Sequence, residues 1–248
     1  MIETLLKKIF SKGVETLWEN KDLVILYIKT IVGKYRNKEI RFSISYLYRI
    51  TIPNTDKYLL VNSTRIPNQL QPVGGAYKRY GDDKLFEDWG FQNDNNNNGV
   101  GVDAKSDKDL RFRVKGKNVI KVIKWFEEAK EREVSANREF IEELLSTKIL
   151  SHKAFKSIEY KLVKRFSKHL KYSKYHKCYE VLIYDVVELI PNEKQKKELK
   201  NLAKKPNDIN KGYAIVSSED IDRLRYFENN VQVAKIGEHT KLLINKIF

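Results

Sequence analysis

Apolar and polar positions alternate in several stretches of the chain, and elsewhere the apolar residues recur every third or fourth position. Alternation predicts strands over Glu39–Ile52, Lys57–Asn62 and Leu110–Val114. Helical spacing predicts one helix over Val119–Phe126 and a second over Ser135–Leu145. This mixture of strands and helices is consistent with an α+β fold, which is the fold class we predict.

The second half of the chain continues in the same way. Tyr179–Ile190 is almost continuously apolar, as expected for a strand buried in a central sheet. Pro191-Asn192 then opens a charged helix that should end near Lys204. Tyr213–Ser217 reads as a short strand followed by another helix.

The amino-terminal region predicts two helices. In Met1–Asn20 the apolar residues are spaced among charges, as on an amphipathic helix, and the apolar run that starts at Leu23 is shorter than the roughly 20 residues of a spanning helix. We therefore divide the chain into a helical extension, 1–38, and a domain, 39–248, with a polar insertion around 81–117. The extension can dock on the domain, form a homodimer or lie on a membrane surface.

Composition favours an anionic partner. The 248 residues include 48 Lys and Arg against 33 Asp and Glu, a formal net charge of +15. Such an excess attracts nucleotides, nucleic acid or an acidic membrane surface. The lone cysteine, Cys178, fits a reducing cytoplasm.

Two polar segments admit more than one interpretation. Lys161–Lys177 interleaves basic and aromatic residues, which can bind phosphates and stack bases, or can be the solvated side of a hairpin. Gln92–Gly99 is rich in Asn and should be a loop, either a lid over a ligand or a simple connection.

The helix predicted over 135–145 carries three carboxylates, Glu139, Glu142 and Glu143, at spacing i, i+3, i+4. Ser135 is its expected N-cap. The expected buried stripe is Phe140, Ile141, Leu144 and Leu145. Carboxylates on the opposite face suit Mg²⁺ or Mn²⁺, which bridge to substrate phosphates, so phosphoanhydride hydrolysis is the indicated chemistry.

A solvated acidic face is the alternative for these glutamates. It fits the local charges less well, because Glu139 and Glu143 are like charges at i, i+4 and a cation would relieve their repulsion. Arg138 lies four residues before Glu142 and can pair with it. Glu180 or Asp185 can supply a fourth acid, without a motif that selects either.

The run Arg138–Glu143 resembles the second half of the Nudix box, the signature of hydrolases that act on nucleoside diphosphates linked to another moiety. Gln71–Lys78 resembles the Pro-Gly-Gly segment that opens the box. The resemblance implies phosphate contacts at Gly74, Gly75 and Lys78, a metal held by Glu139, Glu142 and Glu143, and catalytic roles for these glutamates and Arg138.

The box departs from the ordinary pattern at two places. Gly81 stands where a Glu normally follows the glycine by six residues, so an insertion splits the box. Leu145 replaces a later glycine, and we expect the helix to continue further before the chain turns toward Ile149 and Leu150.

The order of four landmarks is similar to that of the SMODS- or CD-NTase-associated Nudix domains of bacterial cyclic-oligonucleotide (CBASS) systems. The landmarks are Ile40–Ile50, Gln71–Lys78, Arg132–Val134 and Arg138–Leu145. The resemblance implies a Nudix fold, with a mixed β-sheet sandwiched between helices, and a role in antiviral defence.

Three functions remain open at this point. The first is Mg²⁺-dependent hydrolysis of a nucleoside-diphosphate-linked substrate, with one of the glutamates as base. The second is a non-catalytic sensor or effector that binds a cyclic or linear oligonucleotide. The third is a nucleic-acid-binding protein that uses the basic segment Lys161–Lys177, for which a steep salt dependence of binding is the test. We expect a cytoplasmic protein and leave peripheral membrane association open.

Overall fold

The computed structural model describes residues 21–81, 84–94 and 108–247. The first predicted helix, Met1–Asn20, and most of the Asn-rich loop lie outside the described residues, as do the contacts predicted for them. The second predicted helix is observed as α1 (Lys21–Tyr27), which continues as a π-helix over Ile28–Val32. Among the described helices, none combines the length and the apolar character needed to cross a bilayer.

The elements confirm the α+β class predicted from the alternating patterns. The strands are β1 (Glu39–Arg49), β2 (Lys57–Asn62), β3 (Gln69–Gln71), β4 (Gly74–Ala76), β5 (Gln92–Asn93), β6 (Arg111–Lys115), β7 (Tyr160–Ser173), β8 (Cys178–Leu189), β9 (Tyr213–Ser217), β10 (Arg225–Glu228) and β11 (Val231–Ile236). The α-helices after α1 are α2 (Lys84–Glu87), α3 (Val119–Glu128), α4 (Asn137–Phe140), α5 (Glu193–Ala203) and α6 (Ser218–Arg223). A 3₁₀ helix over Glu238–Ile244 follows β11.

Within the described residues the strands form two sheets. One has the order β5-β6-β1-β8-β7, with β4 also paired to β1, and the other has the order β10-β11-β3-β2-β9. Strand β1 ends at Arg49, earlier than predicted, and Thr51 then forms an isolated β-bridge with Tyr58. The chain groups into two compact units, and the predicted boundary at residue 38 stays a prediction.

The first unit consists of the chain up to Ser43, Arg79–Arg132 and Lys168–Leu182. Here the start of β1 pairs antiparallel with β6, which places Phe42 opposite Phe112 with their rings stacked at 5.4 Å. Phe86 packs edge-on against Trp125 at 5.1 Å and also approaches Phe112. Buried aromatic rings therefore form the core of this unit.

The second unit consists of Ile44–Lys78, Glu133–Ser167 and the chain from Ile183. Its five-stranded sheet is mixed, since β11 runs parallel to β3 while the other pairs are antiparallel. Leu60, Leu70, Val186, Val216 and Ile221 belong to its buried apolar core. Capping boxes begin two of its helices, at Asn192 for α5 and at Ser217 for α6, as the polar residues there favour.

Candidate functional site

The two halves of the split box meet in the second unit. The Glu133 N–H donates to the Lys78 carbonyl at 2.7 Å, and the Lys78 N–H donates to the Glu133 carboxylate at 3.1 Å. The backbone pairing continues in the first unit, where Arg79 forms an antiparallel β-bridge with Arg132 and the Tyr80 N–H donates to the Glu131 carbonyl. The two ends of the insertion are thus paired with each other, so the two halves of the box lie next to each other although they are far apart in the sequence.

The helix of the box differs from the predicted one at both ends. It begins with Ala136 as N-cap, without a side-chain hydrogen bond, so the prediction of Ser135 as N-cap is wrong. The Ser135 hydroxyl instead accepts from the Asn137 N–H at 3.2 Å. After α4 the chain forms a π-helix over Ile141–Leu145 and then turns, with Lys148 in the left-handed region. The expected continuation of the helix past Leu145 is therefore wrong as well.

The π-helix also changes which side chains face the core. Phe140, Leu144 and Leu145 are buried as predicted, but Ile141 is 40 % exposed. A π-helix places more residues in each turn than an α-helix does, so a stripe read at α-helical spacing is displaced. The prediction of Ile141 as a core residue is wrong for this reason.

Two of the predicted glutamates lie against the glycine strand β4. The Gly74 N–H donates to the Glu143 carboxylate at 2.9 Å. A Cβ on Gly75 would lie 2.6 Å from Cδ of Glu139, and a Cβ on Gly74, at φ +146°, would collide with the Tyr46 carbonyl oxygen. The absence of side chains at both glycines therefore allows the carboxylates and the backbone to approach. Their predicted phosphate contacts, and that of Lys78, stay predictions.

Arg138 is the centre of the ion pairs at this site. Its guanidinium lies 2.6 Å from Glu139 and 3.8 Å from Glu142, and it donates to the Ala76 carbonyl at 2.9 Å. Glu142 is the predicted partner, but its side chain is 58 % exposed and its contact is the longer one. Arg138 thus orients mainly Glu139, while Glu142 projects toward solvent.

Glu133 is a site residue that the sequence analysis did not select. It is 5 % exposed and accepts from Arg138 through both carboxylate oxygens, at 3.1 and 3.2 Å. Burial raises the pKa of Glu133, although the hydrogen bond and charge of Arg138 oppose the shift. The signal was the pair Arg132-Glu133 just before the box helix. It was missed because the box was counted forward from Gly75, where Gly81 occupies the Glu position.

Glu143 has the most perturbed carboxyl group of the trio. Burial raises its pKa to about 8, the charges of Glu139 and Glu142 add to the shift, and the Gly74 N–H opposes it. A raised pKa favours the neutral carboxyl, and a cation beside it would favour the ionised form. The arrangement therefore favours either cation binding or proton transfer at Glu143.

The three glutamates do not all converge on one point. Within the described chain, no three His, Cys, Asp or Glu side chains are gathered closely enough to hold a metal ion together. Mg²⁺, however, needs only one or two carboxylates when waters and substrate phosphates complete its shell. Glu139 and Glu143 both lie against β4, whereas Glu142 is exposed, and their roles as metal ligands stay predictions.

A network of hydrogen bonds and ring contacts connects Glu139 to buried side chains of the second unit. The Glu139 N–H donates to the Tyr46 hydroxyl at 3.3 Å, and the Tyr46 ring packs on Tyr77 at 4.9 Å. The Tyr77 hydroxyl donates to Asp185 at 2.9 Å, and Arg165 contacts both oxygens of Asp185 at 2.6 and 2.9 Å. Asp185 is therefore an ion-pair partner in the second unit, where it holds Tyr77.

An open pocket of about 580 Å³ lies beside the box helix in the second unit. It is lined by Asn137, Ile141, Leu145, His152, Phe155, Lys156, Ser157 and Ile158. The exposed Ile141 directly precedes Glu142. Apolar walls with two basic side chains suit a ligand that has both a flat apolar part and negative charge.

The α+β fold, the rejoined Gly-Gly and Arg-Glu-x-x-Glu-Glu segments, and the carboxylates held against β4 define a Nudix-type protein. The chain matches the family model of the SMODS-associated NUDIX domain over residues 39–244 and belongs to that family. The resemblance seen in the sequence is thereby confirmed, including its association with SMODS and CD-NTase systems. Comparisons with curated proteins and with solved structures found no match.

Proposed function

We propose that the protein is a Mg²⁺-dependent hydrolase of a phosphoanhydride bond in a nucleoside-diphosphate-linked substrate, acting in antiphage defence. The observation that supports this most is Glu143, a carboxyl with a raised pKa between two other glutamates and against the Gly74 backbone. That environment is unfavourable for a purely structural carboxylate and becomes favourable once a cation binds.

Each residue of the box has a distinct task in this proposal. Glu139 and Glu143 hold the cation, and Glu142 joins them or accepts a proton from the attacking water. Arg138 keeps Glu139 in place, and Glu133 in turn keeps Arg138 in place through two hydrogen bonds. Bound Mg²⁺ supplies charge neutralisation at the phosphates and lowers the pKa of a coordinated water.

The pocket beside the helix accommodates the nucleoside in this proposal. Phe155 and Ile158 offer apolar surface for a base, and Lys156 offers a positive charge for a phosphate. Lys156→Ala is expected to raise KM and to change kcat little, because the contact is made equally in the ground state and the transition state. Lys153→Ala, in the same loop but outside the pocket, is the matched control.

The test is turnover of nucleoside diphosphate derivatives, dinucleotides and cyclic oligonucleotides with and without Mg²⁺. Glu142→Gln and Glu143→Gln should each lower kcat by about 100-fold, or roughly 2.7 kcal/mol. Glu219→Gln, at an exposed ion pair with Arg223, is the matched control and should retain full activity. Turnover that survives in Glu143→Gln would rule out the proposed role of that residue.

A non-catalytic sensor is the second candidate, and one observation favours it. The strongest contact of Glu139 in the described structure is with Arg138, and no three acidic or other ligating side chains converge there. A sensor would bind a nucleotide from the same panel without consuming it. Binding that persists in Glu143→Gln, with no turnover in the unaltered protein, would select this function.

A further inference from the structure

A basic, aromatic surface lies in the first unit and is here called the hairpin patch. It is formed by the turn of the β7–β8 hairpin and by the loop that follows the π-helix of Ile28–Val32. It consists of Lys34, Lys38, Tyr172, Lys174, Tyr175 and Lys177. All six side chains are exposed, Tyr172 by 51 % and Tyr175 by 60 %. The patch belongs to neither the box nor its pocket, so it needs an explanation of its own.

The charge of this segment has one sign. From Lys168 to Tyr179, the part of the hairpin that lies in the first unit, the chain has four lysines and no Asp or Glu. Two carboxylates adjoin these residues in the sequence, Glu180 after Tyr179 and Glu39 after Lys38. Both have other partners, since Glu180 pairs with the buried Arg41 and Glu39 approaches Lys115. The hairpin patch is therefore electrostatically suited to a polyanion.

Aromatic neighbours hold both rings of the patch, because Tyr172 packs on Tyr179 and Tyr175 packs edge-on against His176 at 4.8 Å. Tyr179 packs edge-on against Tyr35 at 4.8 Å and against Tyr172 at 5.2 Å. The Lys38 ammonium lies 5.5 Å from the centre of the Tyr179 ring, and Lys34 lies 5.4 Å from that of Tyr35. Rings fixed in this way lose little side-chain entropy when a ligand stacks on them.

We propose that the hairpin patch binds single-stranded nucleic acid. Bases stack on the exposed faces of Tyr172 and Tyr175, and the lysines around them contact the phosphates. A duplex fits less well, because its bases are already stacked on one another. The side chains of the patch, tyrosine and lysine, suit base stacking and phosphate contacts, whereas the exposed aliphatic side chains nearby in the chain, Ile28 and Val32, are not part of it, so a membrane surface is an outcome of the test. Recognition should tolerate many sequences, since every base has a stacking face.

The test is fluorescence anisotropy of the full chain with a labelled oligothymidylate of about 20 nucleotides, across about 50 to 300 mM KCl. Affinity should fall steeply with salt. Tyr172→Ala and Tyr175→Ala should each weaken binding about tenfold, whereas Tyr172→Phe and Tyr175→Phe should retain it, because phenylalanine keeps the stacking face. The double variant Lys174→Gln/Lys177→Gln should reduce the salt slope by about 1.4.

A matched control separates the patch from the overall positive charge. Lys197→Gln/Lys200→Gln removes the same charge from exposed positions on α5 and should leave affinity and slope almost unchanged. Equal weakening by the two double variants would overturn the proposal, as would tyrosine variants that bind like the unaltered chain. Binding to anionic vesicles but not to the oligonucleotide would overturn it in favour of a membrane surface. Glu143→Gln should leave oligonucleotide binding intact, so this result is independent of the box.

Discussion

Two clusters of acidic and basic side chains in this protein have opposite electrostatic properties. The carboxylate cluster of the second unit contains Glu139, Glu142 and Glu143, with Arg138 as its cation. The Arg41 network of the first unit contains Arg41, Asp94, Arg113 and Glu180. Arg41 lies 2.6 Å from both Asp94 and Glu180, and Arg113 lies 3.3 Å from Asp94.

The pKa values show the difference. Burial alone would raise the pKa of Asp94, but the charge and hydrogen bond of Arg41 outweigh it, and the pKa falls below its ordinary 3.8. Burial also acts on Glu143, where two neighbouring glutamates add to the effect and the pKa rises to about 8. A buried carboxylate with paired cations is a structural group, whereas one held among like charges is a candidate for chemistry.

Removing Arg41 should have the largest effect on stability. Arg41→Ala leaves Asp94 and Glu180 buried with weaker partners, so the free energy of unfolding should fall by about 3 to 5 kcal/mol. Arg223→Ala breaks an exposed pair with Glu219 and should cost under about 1 kcal/mol. Chemical denaturation of the two variants measures the contrast. Equal losses would show that the Arg41 network is not a buried structural pair.

The pH dependence of stability should have opposite signs for the two clusters. Between pH 4.5 and about 8 the folded chain keeps a proton on Glu143 that the unfolded chain releases, so this group makes stability fall as pH rises. Glu143→Gln should flatten that slope. For Asp94 the folded pKa is the lower one, so its contribution is lost as pH falls below 3.8, and Asp94→Asn should remove that acid loss. The measurement is the free energy of unfolding, obtained without metal at several pH values from 3 to 9. The comparison would be contradicted if this free energy fell with rising pH in Glu143→Gln as it does in the unaltered chain.

The two glycines of β4 should differ in what their substitution affects. Gly74→Ala should destabilise the fold by about 1 to 3 kcal/mol, because its φ is +146° and a Cβ would meet the Tyr46 backbone. Gly75→Ala should cost less stability and more activity, because its Cβ would displace the movable carboxylate of Glu139. Thermal denaturation and turnover, measured on both variants, separate the two effects. A larger loss of stability in Gly75→Ala than in Gly74→Ala would contradict the contacts described for β4.

The smallest expected effect is the stabilisation by Mg²⁺. At tenfold excess over Kd the ion should add about 1.4 kcal/mol to the free energy of unfolding. The gain should be larger at pH 8.5 than at pH 6, because Glu143 must lose its proton to bind a cation. Glu143→Gln should abolish the gain and Asp94→Asn should leave it intact. If Mg²⁺ stabilised Glu143→Gln as much as the unaltered chain, the ion would have to bind at another site.

The elements that the sequence predicted well depend on local patterns. The strand of Lys57–Asn62 has the predicted bounds, and the strand predicted over Tyr179–Ile190 is observed as Cys178–Leu189. Helix α5 begins after Asn192 because a local capping box stabilises that end. Such features involve residues within a few positions of each other, so a single sequence displays them.

The details of the site were less predictable. Ile141 was expected in the core and is exposed, because a π-helix replaces regular α-helical turns there. Glu142 was expected to pair with Arg138, whose shorter contacts go to Glu133 and Glu139. Competition among several carboxylates for one guanidinium depends on distances that spacing alone does not give.

The sequence by itself determined the α+β class, the family and the three glutamates in one helical segment, because periodicity and the Arg-Glu-x-x-Glu-Glu motif are local. Only the tertiary structure decided that Glu133 and Lys78, 55 positions apart, adjoin and rejoin the box. It also decided that the pKa of Glu143 is raised while that of Asp94 is lowered. Burial and the neighbouring charges set those pKa values, and both arise from segments that are distant in the chain.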